Sequence, residues 1–188
     1  MKKIDTKKLT VSAIMIALAT VLSLIKVWTM PLGGAVTLLS MLPVALIAII
    51  YGTKHGLWCA FVYSLCQLGL SIAEVVGWGL TPTALIGTIF LDYIIAFTVL
   101  GLAGLFAKNG VSGYILGITL SLILRFLCHF ISGVIIFDIW MPEEWSNIWL
   151  YSLCYNGTYM LPELITTIVG AVVLLKLSPI KRLIKNNE

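Results

Sequence analysis

Charge is scarce in this chain. Only 11% of its 188 residues are Asp, Glu, Lys or Arg, against 60% hydrophobic, and the mean hydropathy is +1.07. That balance excludes a soluble domain and describes an integral membrane protein. Also lacking are a P-loop, a Gly-rich nucleotide motif and any soluble segment of ATPase size, so a transport activity would need its energy from elsewhere. The four cysteines, Cys59, Cys66, Cys128 and Cys154, lie in apolar segments at spacings that match neither a disulfide framework nor a zinc site. They read as reduced packing residues, and neither a metal nor a cofactor is expected. No small-residue cleavage site follows the basic N-terminus, which therefore reads as the lead-in to a first helix. No internal repeat is visible, and no pair of Gly/Pro-broken spans of the kind found in many secondary transporters.

What is present is a series of apolar runs. Hydropathy predicts spans near 9–27, 35–51, 56–73, 81–107, 112–137 and 149–176. The fold class is thus an all-α bundle of about six transmembrane helices, forming a single domain over 1–188. Basic residues gather at the two ends (Lys2, Lys3, Lys7, Lys8; Lys176, Lys181, Arg182, Lys185), and Lys54 and Lys108 fall in connections on the same side. The positive-inside rule then predicts that both termini are cytoplasmic; only Lys26 and the intramembrane Arg125 depart from it. Without interleaved stacking aromatics, these basic clusters read as headgroup anchors and not as a nucleic-acid surface.

The outward connections, Val27–Gly34, Ala73–Leu80 and Asp138–Ile148, carry Trp28, Glu74, Trp78, Asp138, Trp140, Glu143, Glu144 and Trp145. This acidic, aromatic face reads either as an interfacial belt, together with Trp149, or as an entrance that attracts a cation and stacks on a flat ring.

Four ionisable residues interrupt the apolar runs: Asp92 in GTIFLDYIIAF, Arg125 and His129 in SLILRFLCHFISG, and Glu163 in YMLPELITTIV. Such groups are expensive inside a membrane and mark a buried site or a pathway. At about 1.5 Å per residue from the outward helix ends, Asn156 and His129 lie roughly 10–12 Å deep, Asp92 roughly 16 Å, and Arg125 and Glu163 roughly 18–20 Å. Arg125 and His129 are four apart and share a helix face; Asn156, Tyr159 and Glu163 share another. Tyr93, next to Asp92, borders the same space only if it is wide. Carboxylates, a guanidinium, an imidazole, an amide and tyrosines together suit a polar aromatic ligand. For several of these residues a structural role stays open: Asp92 and Arg125 as a neutralising ion pair, Glu163 beside the helix-kinking Pro162, and Tyr151 and Tyr155 as belt or packing residues. In the first span Ala13 and Ala17 form a small-xxx-small pair that allows close approach of another helix.

The segments FLDYIIAFTVLGLAGLF, LRFLCHFISGVIIF and YSLCYNGTYMLPE, in this order, resemble the thiamine-specific membrane subunit of energy-coupling factor transporters, the ThiT/YuaJ family, over nearly the whole chain. The resemblance implies six helices, a vitamin site near the extracellular surface, and docking on a transmembrane scaffold protein that carries two cytoplasmic ATPases. It implies that Asp92 stands near the thiazolium, with Tyr93 beside it, and that His129, Asn156 and Tyr151 are pocket residues. It also implies that Ala13 and Ala17 meet the scaffold. The chain departs from the family pattern in having Asp92 for Glu, Arg125 for Lys, Phe137 for a pocket Trp, and Gly34 nearest the place of a loop Trp.

The expected function is therefore a substrate-binding subunit in the cell membrane, capturing thiamine and devoid of enzymatic activity. Asp92, Tyr93, Arg125, His129, Phe137, Tyr151, Asn156, Tyr159 and Glu163 form the candidate site. The alternatives are a subunit for a thiamine precursor or another aromatic heterocycle, and a stand-alone proton-coupled transporter titrating Asp92 or Glu163. An intramembrane enzyme using His129 with Ser132 or Cys128 is disfavoured by poor spacing.

Overall fold

A computed structural model describes residues 5–175, for Leu32 the backbone only. Most of the terminal basic residues invoked for orientation, and the last residue of the sixth predicted span, lie outside the described residues. Helix α1 (Thr6–Leu24) starts at Asp5, whose side chain accepts a hydrogen bond from the Lys8 backbone N–H at 3.0 Å and so caps the first turn. The chain then turns into an antiparallel hairpin of β1 (Lys26–Thr29) and β2 (Ala35–Thr37), closed by a 3₁₀ turn over Pro31–Gly33. Gly33 sits at φ +95°, a conformation that a side chain would make costly.

The second predicted span is where sequence and structure part. Residues 35–51 form no continuous helix: β2 ends at Thr37, Leu39 takes the left-handed conformation at φ 58°, and α2 covers only Leu42–Tyr51. Ten residues rise about 15 Å, half of a hydrocarbon core. Pro43 in the first turn explains where the helix begins, since proline fits there and not further in. Hydropathy could not see the break because strand, bend and helix are all apolar. Leu42 to Ile50 are all buried, so α2 is a core element enclosed by the other helices.

Four long helices complete the bundle: α3 (Thr53–Gly77), α4 (Pro82–Gly104), α5 (Gly110–Ile135) and α6 (Ile148–Leu175). With α1 they make five helices long and apolar enough to cross a membrane, and the molecule is a multi-pass membrane protein. Exposed Leu, Ile and Val side chains on their outer faces suit contact with lipid. α4 is irregular: α-helical over Pro82–Thr88, π-helical over Ile89–Ile95, and 3₁₀ over Val99–Gly104. At Gly101 and Gly104 its backbone lies directly on Leu57 of α3 and Ala48 of α2, where an added Cβ would collide with main chain. This contact holds the three helices together around a core that includes Tyr63, Leu100, Ile118 and Leu122. All four cysteines are unpaired.

Candidate functional site

At the hairpin end of the bundle, α3, α4, α5, α6 and the hairpin enclose a cavity with about 1190 Å³ of empty space, its open mouth included. Of the residues singled out from sequence, Asp92, Tyr93, Arg125, His129, Phe137, Tyr151, Asn156 and Tyr159 line it. Glu163 is not among the lining residues. It is fully buried behind β2, where it accepts hydrogen bonds from the backbone N–H of Thr37 at 2.5 Å and from the Thr37 hydroxyl at 2.7 Å.

Asp92 lies in the π-helical segment of α4, which widens the helix and re-aims its side chains; such insertions recur at functional sites. Its Oδ1 meets His129 Nδ1 at 2.8 Å, and its Oδ2 accepts from the Ser132 hydroxyl at 2.5 Å. The Asp92–Arg125 ion pair that the sequence left open is therefore not formed among the described residues. His129–Asp92 is the ion pair found among the described residues. With a carboxylate at Nδ1, that nitrogen carries a hydrogen, and Nε2, buried and without a partner, is left to a ligand. Ser132 donates to Asp92 and not to His129, so it is not arranged as a nucleophile beside its base.

Arg125, only 6% exposed, lies with its guanidinium carbon 3.8 Å from the centroid of the Phe97 ring, while Nε and Nη1 have no hydrogen-bond partner. Two buried donors without acceptors are a large cost unless something fills them. Asn156 is occupied within the protein: its amide nitrogen donates to the Ser152 carbonyl at 3.0 Å, and its Oδ1 accepts from the Tyr159 hydroxyl at 2.7 Å. These bonds hold Tyr159 against the cavity, which Asn156 itself also lines.

Tyr151, Tyr155 and Tyr159, one turn apart on α6, pack ring on ring at centroid distances of 5.9 and 6.1 Å. The Tyr155 hydroxyl donates to the Pro31 carbonyl and accepts from the Gly34 N–H at 3.3 Å, tying the hairpin loop over the cavity. Gly34 lies so close to the Tyr159 ring that an added Cβ would sit 2.8 Å from it. This close approach leaves no room for a side chain at Gly34 unless the loop or the ring moves.

Across the mouth, Trp78 packs edge-on against Phe137 at 5.7 Å and Trp140 at 6.2 Å, and Trp145 against Tyr151 at 5.4 Å. Trp149, 59% exposed, faces outward as a belt residue would. Sequence reasoning did not select Glu74, Trp78, Lys26, Gln67, Ser71 or Ser40 as site residues, yet each lines the cavity. Glu74 and Trp78 carried a signal as an acidic–aromatic pair one turn apart; the small polar residues carried none. Ala13 and Ala17 stand exposed on α1, away from the cavity.

Comparison with known proteins agrees with this architecture. The thiamine transporter protein family (Thia_YuaJ) matches residues 9–183. The chain is 32% identical over 190 residues to the thiamine transporter ThiT of Bacillus subtilis (strain 168), covering 94% of this chain and 93% of that protein. It is 34% identical over 151 residues to the thiamine transporter ThiT of Lacticaseibacillus paracasei, covering 74% of this chain and 72% of that protein. A solved structure of ThiT from Listeria monocytogenes has the same fold, with a TM-score of 0.73 at 24% identity over 94% of this chain and 96% of that one. Five apolar spans around a short buried helix, one cavity at the hairpin end, and matches along nearly the whole length lead to one conclusion: the chain belongs to the thiamine transporter protein family.

Proposed function

We propose that this protein is the substrate-binding subunit of an energy-coupling factor importer and that it captures thiamine from outside the cell. The observation that carries the reading is the cavity, in which a flat aromatic wall stands beside two sets of buried polar atoms without partners, His129 Nε2 and Arg125 Nε and Nη1. An aminopyrimidine ring offers both an amino donor and ring-nitrogen acceptors, which complement the imidazole and guanidinium. Tyr93, Phe137, Tyr151 and Tyr159 supply ring contacts, and Asp92 holds His129 in position. Placing both termini in the cytoplasm, as the basic residues favour, turns the cavity outward.

In this reading the single domain 1–188 has no ATPase site of its own. A scaffold protein docks along the small-residue face of α1 at Ala13 and Ala17, and its two ATPases drive reorientation of the loaded subunit. A proton-coupled carrier is less well supported, because Glu163 is bonded to Thr37 behind the cavity and Asp92 to His129 and Ser132.

Tryptophan-fluorescence titration of the purified, detergent-solubilised protein tests the proposal. Saturable quenching by thiamine, with none by a neutral vitamin, supports it. Folded protein that gives no response overturns it and directs the search to another heterocycle.

A further inference from the structure

Helix α1 is the least enclosed of the five long helices. It packs on α2 and α3, yet its buried residues are Ser12, Ala19 and Ser23, with Met15 and Ile16 half-buried beside them. Between helices in a bilayer the hydrophobic effect supplies no pull, since lipid is as apolar as a neighbouring helix, and association rests on close packing and interhelical hydrogen bonds. With so small a packed face, the hydrogen bonds decide where α1 lies.

Those bonds run to α3. Ser12 Oγ meets His55 Nε2 at 2.8 Å, and Gln67 Nε2 donates to Ser23 Oγ at 2.9 Å. Ser12 to Ser23 on α1 and His55 to Gln67 on α3 are nearly equal intervals, roughly 16–18 Å of helix, so the two helices run parallel and are tied at matching heights. The ties differ in what surrounds them. Ser12 and His55 lie away from the cavity, whereas Ser23 and Gln67 are both buried and both line it. The Ser23 hydroxyl itself donates to the Thr20 carbonyl at 2.7 Å, which leaves its oxygen to accept from Gln67. Just beyond, the chain passes into β1, where the Ile25 carbonyl accepts from the Leu38 N–H at 3.0 Å and Lys26 lines the cavity. The cavity end of α1 is thus part of the cavity wall, fastened to α3 through Gln67.

We propose that Gln67 is a positioning residue that couples the cavity to α1: through Ser23 it keeps the end of α1 in the cavity wall, and a shift of α1 about the Ser12–His55 contact breaks this tie and speeds ligand release. The proposal rests on the reading above, that the cavity holds thiamine. A partner on the exposed face at Ala13 and Ala17 then acts on the ligand by moving α1, without touching it.

Stopped-flow thiamine binding and hydrogen–deuterium exchange of the detergent-solubilised protein test it. Ser23→Ala, Gln67→Leu and the double variant are each expected to speed thiamine dissociation about fivefold or more, the double variant no more than either single change, because one bond is lost in all three. Without ligand, amide exchange over residues 20–25 is expected to rise in the same variants. His55→Leu, at the far tie, is expected to raise exchange in the first turns of α1 and to leave thiamine affinity within about twofold of the parent. Thermal melting confirms that each variant is folded. Dissociation within about twofold of the parent in both single variants, effects that multiply in the double variant as for two separate ligand contacts, an equal loss in His55→Leu, or unchanged exchange over residues 20–25 overturns the proposal. Folded parent protein that does not bind thiamine overturns the functional reading and this coupling with it, so the two failures are told apart by the parent measurement.

Discussion

Glu163 accepts two hydrogen bonds from Thr37, one from its backbone N–H and one from its hydroxyl, and so fastens the end of the hairpin to the centre of α6. Replacing Glu163 by Ala leaves two donors without their acceptor inside the protein. The expected cost is about 2–3 kcal/mol of stability, read as a lower melting temperature in detergent. Ligand affinity should fall as well, because β2 leads directly into the cavity wall at Ser40 and Met41. An unchanged melting temperature would mean that the hairpin is held by its other ties alone.

Gly34→Ala tests the close approach of the loop to α6. The new methyl would lie 2.8 Å from the Tyr159 ring and 3.1 Å from the Tyr155 hydroxyl. Overpacking of this kind costs about 1–3 kcal/mol, and the loop should respond by lifting from Tyr155. Faster ligand dissociation in stopped-flow fluorescence, more than slower association, is the expected signature.

Arg125→Met separates a structural role from ligand contact. The unpaired guanidinium gives the empty protein little, so its melting temperature should hold or rise. If the free donors meet the ligand, the dissociation constant should increase by about tenfold or more. Loss of stability with unchanged affinity would assign Arg125 to the fold.

Trp78 is the tryptophan among the lining residues. Trp78→Phe should therefore remove most of the fluorescence change seen on ligand titration, while calorimetry still detects binding. Quenching of undiminished amplitude would place the ligand elsewhere.

Ala17→Trp puts a bulky ring on the exposed face of α1, far from the cavity. On the proposed docking, ligand binding by the isolated protein should be unaffected, while co-purification with the proposed scaffold and uptake in cells should be lost. Loss of binding instead would show that this face packs within the subunit.

The sequence made five of the six helices legible because each is a long apolar run bounded by caps, prolines or glycines. It hid the break in the second predicted span because β2, the bend at Leu39 and α2 share one hydropathy. The candidate site was legible wherever an ionisable or amide group broke an apolar run, which found Asp92, Arg125, His129 and Asn156. Periodicity says which residues share a face of one helix but not which helices meet, so the pairing of Asp92 with His129 and Ser132 instead of Arg125 could not be read. For Glu163 a structural role and a ligand contact both stayed open for the same reason, since a lone carboxylate gives no sign that a strand from another part of the chain bonds to it. Glu74 fell in a predicted connection and was read with the acidic, aromatic outward face but not as a site residue, whereas α3 runs to Gly77 and carries it to the cavity rim.

The enclosure of α2 has a consequence for how this protein meets its bilayer. Thickness and lateral tension act on helices that touch lipid, by tilting them or drawing in their ends. Here those are α1 and α3–α6, whereas α2 touches protein on every side. Since Met41, at its start, lines the cavity, that part of the wall rests on an element the lipid cannot grip directly. A change in acyl-chain length must pass through five tilting helices before it reaches that wall, and their separate movements need not add.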